Sequence, residues 1–262
     1  MSARWLAPAL LALSVVASGV ATAEPILKPK KYHGPIPQSM LWLRGGFMGG
    51  ASNEEMISFL DNRIQDPFIG NIEDFGSAFS IEAGYARKPH PQFAYRLNAN
   101  VSFLSSEGSG TFVPQVAGVD SLLPVVDYDL EFKSQLIVVE ASGLYFFSDA
   151  AVKEFQAYAG GGFSVGLPHE SYEETQIDTE TGETFQTIEH DEWGFSAGVH
   201  AVLGAIYYIT NTWGVTAEGR LQLMESRYEQ MQAINEDDEL EDVSFVVDYT
   251  GFYITVGVLW GF

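Results

Sequence analysis

The stretch 252–262, FYITVGVLWGF, alternates between two kinds of side chain from its first residue to its last. Every second residue is apolar or aromatic: Phe252, Ile254, Val256, Val258, Trp260 and Phe262. The residues between them are small or polar, except for Leu259. A period of two predicts a β-strand. An apolar face backed by a small, polar face is typical of a strand in the wall of a transmembrane β-barrel.

The same alternation recurs in seven other parts of the chain. It is clear in three stretches and weaker in four, in this order: 92–104, 153–167 and 193–208, then 39–50, 77–87, 130–147 and 213–225. Each holds roughly the 9–11 residues that a tilted strand needs to cross a membrane. The sequence therefore predicts an all-β protein whose residues 39–262 form an eight-stranded antiparallel transmembrane β-barrel.

The register of the stretch 130–147 needs a choice between two faces. We place one set of alternate residues outward because this turns Glu140 away from lipid: Ile137, Val139, Ala141, Tyr145 and Phe147. The same choice directs Leu136, Val138 and Leu144 into the lumen.

The connections between the predicted strands alternate in length. The breaks 88–91, 148–151 and 210–212 are short. Those after the first, third, fifth and seventh strands are long: 51–76, 105–128, 168–190 and 227–245. Short periplasmic turns and long extracellular loops are usual in outer-membrane barrels, and this pattern places both termini in the periplasm.

With these features, residues 39–262 resemble the small eight-stranded outer-membrane barrels of Gram-negative bacteria, the OmpA, OmpX and OmpW-like porin family. The resemblance rests on the eight alternating stretches, the glycine-rich segment 158–163 (YAGGGF) and the terminal Phe262. It implies an outer-membrane location among outer-membrane lipids and lipopolysaccharide. It also implies that Val258, Trp260 and Phe262 belong to the signal read by the barrel-assembly machinery.

The first residues have the composition of an export signal. Residues 1–23 carry one charge, Arg4, then a Leu- and Ala-rich run, and end in Ala-Thr-Ala. This pattern predicts a signal peptide cleaved after Ala23, with an uncleaved membrane anchor as the alternative. Residues 24–38, rich in Pro and Lys, are then expected to form an extended periplasmic tail.

A soluble eight-stranded barrel of the lipocalin type is the alternative fold, because alternation alone does not say which face is inside. Three features favour the membrane barrel. The chain ends on its most apolar strand, the opposite faces are rich in Gly and charge, and the long connections lie at one end only.

The composition excludes several functions. The chain has 262 residues, 13 Lys and Arg against 35 Asp and Glu, a net charge of −22 and no Cys. Nucleic-acid binding is excluded because it depends on cationic side chains that neutralise phosphates. Without Cys there is no disulfide, thiol nucleophile or Cys-ligated metal. We expect no cofactor.

Seven ionisable residues fall on the lumenal faces of the predicted strands: Arg44, Glu82, Arg96, Glu140, His200, Glu218 and Arg220. Charges that face hydrocarbon are costly, and an eight-stranded barrel is filled by its own side chains. We therefore expect a lumenal charge network, for example Arg44 paired with Glu82. It could act as a structural plug or as the gate of a narrow channel.

The predicted extracellular loops are strongly acidic. Residues 170–192 contain nine acids and no Lys or Arg, and residues 225–248 contain nine acids and only Arg227. Such charge ordinarily keeps a surface soluble. It could also bind surface ligands or divalent cations, but neither stretch has the ligand spacing of a calcium loop, so we assign no metal site.

No catalytic motif is convincing. Two G-x-S-x-G segments, 162–166 and 194–198, lie within predicted strands rather than at a strand-to-helix turn. Ser196 and His200 share a face but stand about 13 Å apart along it. His169 falls in a predicted loop. A lipid-modifying enzyme would need His, Ser and an acid clustered near the outer leaflet, and the spacing of the sequence does not assemble them. We therefore expect a non-enzymatic barrel with a structural or surface-interaction role, and a narrow gated channel as the alternative.

Overall fold

The computed structural model describes residues 37–54, 57, 69–112, 125–147, 154–234 and 240–262. Within them lie eleven strands: β1 (Ser39–Gly49), β2 (Ile69–Ile72), β3 (Ala78–His90), β4 (Phe93–Phe112), β5 (Val126–Phe146), β6 (Phe155–Asp178), β7 (Thr184–Trp193), β8 (Ser196–Tyr208), β9 (Trp213–Ile234), β10 (Leu240–Asp248) and β11 (Gly251–Gly261). Among the described residues, no helix has the length and apolar character needed to span a membrane.

Eight of the strands close into a ring. The order is β1, β3, β4, β5, β6, β8, β9, β11 and back to β1, and every pair is antiparallel. The closing pair joins the first and last strands, with Met40 opposite Gly261 and Gly49 opposite Phe252. The protein is an eight-stranded antiparallel transmembrane β-barrel, as the sequence predicts.

The outer wall of the ring is apolar. Phe163 is 74% exposed, Phe195 66% and Val256 61%, and other Leu, Val, Ile and aromatic side chains lie beside them. A soluble barrel would bury this face around its core. The lipocalin-type alternative is therefore wrong.

The lumen has three layers of side chains. The periplasmic end holds an apolar layer that includes Met40, Trp42, Phe146 and Leu259. Charged side chains occupy the middle. The extracellular end holds a second apolar and tyrosine-rich layer: Met48, Phe75, Tyr128, Phe132, Leu136, Val138, Tyr172, Met224, Tyr249 and Tyr253.

The register of β5 follows the choice made from Glu140. Val139 is 54% exposed and Phe147 57%, whereas Glu140 and the apolar Leu136 and Val138 are completely buried. Leu136 and Val138 face the lumen and pack in its extracellular apolar layer.

Strands continue into three of the four predicted extracellular loops. β4 runs to Phe112 and β5 begins at Val126, β6 and β7 form a hairpin turned over 179–183, and β9 and β10 pair through much of 227–245. The expectation of long loops was wrong for the paired parts of these stretches. Backbone pairing continues above the membrane, where the outer face meets water and no longer needs apolar side chains. In the fourth, 51–76, β2 pairs with β4.

The periplasmic connections are short. β3 continues to His90, so that only Pro91 and Gln92 join it to β4, and residues 209–212 join β8 to β9. The predicted turn 148–151 lies outside the described residues. So do the predicted signal peptide, residues 1–23, and the predicted tail up to residue 36.

Candidate functional site

All seven predicted lumenal residues face the barrel axis. Each is at most 5% exposed, and they come from six strands: Arg44 on β1, Glu82 on β3, Arg96 on β4, Glu140 on β5, His200 on β8, and Glu218 and Arg220 on β9. The period of two in each strand puts them on the inner face, between the two apolar layers.

Six of these side chains form a closed ring of alternating charge. Arg44 contacts Glu82, and Glu82 lies 3.0 Å from the Arg220 guanidinium. Arg220 lies 2.6 Å from a Glu140 oxygen. Arg44 and Glu82 are direct cross-strand partners, so the first of these contacts follows from the pairing of β1 with β3.

The other half of the ring returns to Arg44 through Glu218. Glu140 lies 3.9 Å from Arg96, Arg96 2.5 Å from Glu218, and Glu218 2.9 Å from Arg44. The ring thus joins β9 to four strands on the other side of the lumen, and its three positive and three negative charges balance.

Polar neighbours add hydrogen bonds to two of the ring carboxylates. The Tyr158 hydroxyl donates to Glu218 at 2.7 Å, the Asn98 amide donates to Glu140 at 3.0 Å, and the Trp42 indole donates to Asn98 at 3.2 Å. The alternation within 92–104 and 153–167 predicts that Asn98 and Tyr158 face the lumen, but the expected charge network did not include them. Both residues are polar and share an inward face with charged residues, and this pattern could have identified them.

Glycine makes room for this arrangement. A Cβ on Gly204 would collide with the Tyr158 ring and hydroxyl. Gly204 is the direct cross-strand partner of Tyr158. The small residue on one strand therefore lets the large one lie across the wall and reach Glu218.

His200 is lumenal but stands apart from the ion pairs. Its Nε2 is 2.7 Å from the Ser142 hydroxyl and its Nδ1 2.7 Å from the Ser164 hydroxyl. Arg96 donates to Ser142 at 3.3 Å, which links His200 to the ring through one serine. We expected His200 to belong to the charge network. It is instead a hydrogen-bonding neighbour of the charge ring.

Little space is left beside the ring. The cavity next to Arg44, Trp42 and Tyr158 has a volume of about 10 Å³. A cavity of this size holds about one water molecule. The ring and the layers around it therefore fill this part of the lumen.

The three residues of the expected assembly signal lie on the outer face at the periplasmic end of β11, with Phe262 directly after its last residue. Val258 is 49% exposed, Trp260 44% and Phe262 56%. The Trp260 ring stacks on Trp213 at 6.3 Å and lies 5.1 Å from the Phe262 ring. This arrangement places an aromatic cluster where the membrane meets the periplasm.

The extracellular strands carry carboxylates on both faces. Glu107, Glu131, Glu173 and Glu189 are cross-strand neighbours in one row on the outer face. A groove of about 520 Å³ beside them is also lined by Glu73 and Asp129. Among the described residues, no three His, Asp or Glu side chains are placed to hold a metal ion.

Two acids assigned to the exposed surface are buried instead. Glu170 and Glu174 are 2% and 1% exposed and point inward from β6. The Tyr249 hydroxyl donates to Glu170, and Gln176 donates to Glu174 at 2.6 Å. The alternation of β6 continues past Leu167, so every second residue of this acidic stretch faces the interior.

A scan against protein-family models finds no match, and a search of curated proteins finds none. The protein is similar to solved outer-membrane structures. OprG of Pseudomonas aeruginosa is 12% identical, over 88% of this chain and 99% of OprG, with a TM-score of 0.44. Neisserial surface protein A is 12% identical, over 86% and 96% of the two chains, with a TM-score of 0.36. The protease OmpT of Escherichia coli is 13% identical, over 86% and 79%, with a TM-score of 0.38.

The protein has the fold of the small outer-membrane β-barrels. That statement rests on the closed ring of eight strands and on its apolar outer wall. It concerns the fold alone, because one barrel architecture supports many activities.

Proposed function

We propose that the protein is an outer-membrane barrel with a sealed lumen, which serves a structural role and presents an acidic surface on its extracellular strands. The observation that carries this proposal is the closed Arg and Glu ring. Every charge in it contacts two opposite charges, so the side chains that could attract an ion into the lumen are already engaged with one another.

The layers on either side of the ring support a seal. An ion entering from the periplasm would have to pass Met40, Trp42 and Phe146, and one entering from outside would pass Tyr128, Phe132 and other buried side chains. Apolar constrictions oppose ion passage because they offer no replacement for the hydration shell.

Several features support an outer-membrane location and its partners. The apolar wall suits lipid, and the expected signal peptide would export the chain. Val258, Trp260 and Phe262, exposed at the end of the last strand, would be available to the barrel-assembly machinery. The extracellular carboxylates would face lipopolysaccharide and surface ligands.

Conductance of the refolded protein in a planar bilayer tests the seal. We expect no defined steps from the wild type, with insertion checked by the heat-modifiable gel mobility of a folded barrel. Arg44→Ala and Glu82→Gln serve as comparisons, because each removes one charge from the ring and with it two ion pairs.

Defined steps from the wild type that change in these variants would replace the proposal with the gated-channel alternative. The longest contact, 3.9 Å between Arg96 and Glu140, is where such a gate would open.

A further inference from the structure

A group of polar side chains lies outside the barrel, on the paired strands β6 and β7. His169 is opposite Trp193 and Ser171 is opposite Asp191 in the register of this pair. All four belong to the outward-facing set of alternate residues. The hairpin brings together His169 and Asp191, which are 22 residues apart in the chain.

His169 and Asp191 form an acid–base pair. The His169 Nε2 is 2.5 Å from an Asp191 carboxylate oxygen. The imidazole also stacks on the Trp193 indole, with centroids 4.4 Å apart and an interplanar angle of 27°. Held on two sides, the ring has a defined orientation, and Nδ1 is left for a second partner.

Ser171 follows two residues later on the same face of β6. Same-face neighbours in a strand have Cα atoms about 6.6 Å apart, which brings a serine hydroxyl and an imidazole toward each other. A nucleophile beside a base that is oriented by an acid is the arrangement that activates a serine, and its hydrogen bond is often loose before substrate binds.

A cation lies on the other side of Ser171. Lys133 of β5 is its direct cross-strand partner, and the Lys133 side chain is 59% exposed. Its ammonium lies 2.7 Å from Glu131 and is accessible from outside. An ammonium at this place suits a phosphate group of a ligand bound over Ser171.

The group lies at the upper boundary of the lipid-facing wall. Leu167, 46% exposed, and Phe195, 66% exposed, mark the apolar surface directly below it, and Glu173 follows above. A Trp with one side in lipid and its N–H near water is typical of the membrane interface. The acyl esters of membrane lipids lie at this boundary, between hydrocarbon chains and headgroups.

We propose that Ser171, His169 and Asp191 form a site that hydrolyses an acyl ester of a phosphate-bearing lipid in the outer leaflet. The Ser171 hydroxyl attacks the ester carbonyl and its proton passes to His169, while Asp191 stabilises the imidazolium. Collapse of the tetrahedral intermediate breaks the ester C–O bond, and His169 returns the proton to the departing alkoxide. Water, deprotonated by His169, then attacks the acyl carbonyl. The bond to the Ser171 oxygen breaks, His169 returns the proton to that oxygen, and the acyl group leaves as a fatty acid.

This activity goes beyond a sealed structural barrel and does not depend on the lumen. The test is fatty-acid release, measured by mass spectrometry, from the refolded full-length protein in vesicles of phosphatidylglycerol or of purified lipopolysaccharide. Release from one vesicle type and not from the other identifies the lipid class. Ser171→Ala and His169→Ala should each lower the rate at least 100-fold.

Matched variants separate chemistry from structure. Ser105→Ala removes an outward serine that neighbours Lys133 from the other side and should leave the rate unchanged. Asp191→Asn should lower the rate while the folded band on the gel persists. A fluorophosphonate should label Ser171 in the wild type and not in His169→Ala.

No release from either vesicle type and no labelling of Ser171 in folded wild-type protein would overturn the proposal. So would release that is unaffected by Ser171→Ala. Because conductance reports on the lumen and this assay on the outer wall, failure of one proposal is distinguishable from failure of the other.

Discussion

Carboxylates are paired with cations in the lumen, but most of those on the outer face of the extracellular strands lie beside other carboxylates. In the lumen, Glu82, Glu140 and Glu218 each contact two Arg side chains and are buried. On the outer face above the membrane, four Glu residues lie next to one another in a row across β4, β5, β6 and β7, and Lys133 contacts one of them.

The difference follows from the surroundings of each group. A charge without water must be paired, because desolvation costs several kcal/mol per ion. Like charges in water are screened, and a cross-strand pair of them costs roughly 1 kcal/mol or less. Glutamate must therefore be paired with Arg in the lumen, whereas on the outer face it is tolerated beside other glutamates.

Breaking the ring should have the largest effect. Glu82→Gln or Arg44→Ala leaves two buried charges each without one partner. We expect this to lower the free energy of unfolding by about 3–5 kcal/mol. Urea unfolding in lipid vesicles, followed by tryptophan fluorescence, measures the change. Glu183→Gln, in the exposed hairpin turn, is the control, and unchanged stability in both ring variants would reject the pairing.

A charge introduced on the lipid-facing wall should lower the stability of the barrel, whereas a charge introduced on the extracellular strands should not. Val256 is 61% exposed near the middle of β11. Val256→Arg puts a cation in hydrocarbon and should cost about 2–4 kcal/mol. Thr187→Arg, on the outer strand β7, should cost close to nothing in the same unfolding experiment. Equal effects of the two substitutions would mean that Val256 does not face lipid.

Placing a cation in the row of four Glu residues should have the smallest effect on the free energy of unfolding, and the effect should be stabilising. Glu173→Lys places a cation between Glu131 and Glu189, its two cross-strand neighbours. We expect a gain of about 0.2–1 kcal/mol that shrinks as salt is added. Glu180→Lys in the exposed turn makes the same charge change away from the row, so an equal gain there would point to net charge rather than to the row.

The fold was predictable because each membrane-crossing strand meets lipid on one side. That condition imposes a period of two, and 252–262 shows it without interruption. The extracellular parts of β4 to β7 were missed as strands because their outer faces are polar and their inner faces mix aromatic with acidic residues, as with Tyr172 between Glu170 and Glu174. Backbone pairing extends these strands where no apolar outer face marks them.

The site was predictable in part for the same reason. The alternation of each strand placed Arg44, Glu82 and the other charges in the lumen. Because their strands were predicted to be neighbours, the contact between Arg44 and Glu82 was also expected. The contacts of Glu218 and Arg220 across the barrel depend on ring closure, which sequence spacing does not express. The meeting of His169 with Asp191 depends on the register of a hairpin, and was missed because the stretch was interpreted as a loop.

The length of β6 sets a distance between the outermost turn and the bilayer. The 11 residues from 168 to 178 span about 36 Å along the strand, or about 28 Å of height at a tilt near 40°. Electrostatic interactions between exposed charges decay over about 8 Å at physiological ionic strength. The turn at 179–183 is therefore several screening lengths from the membrane phosphates. A soluble molecule that meets this turn first will respond to its charge and not to that of the lipid.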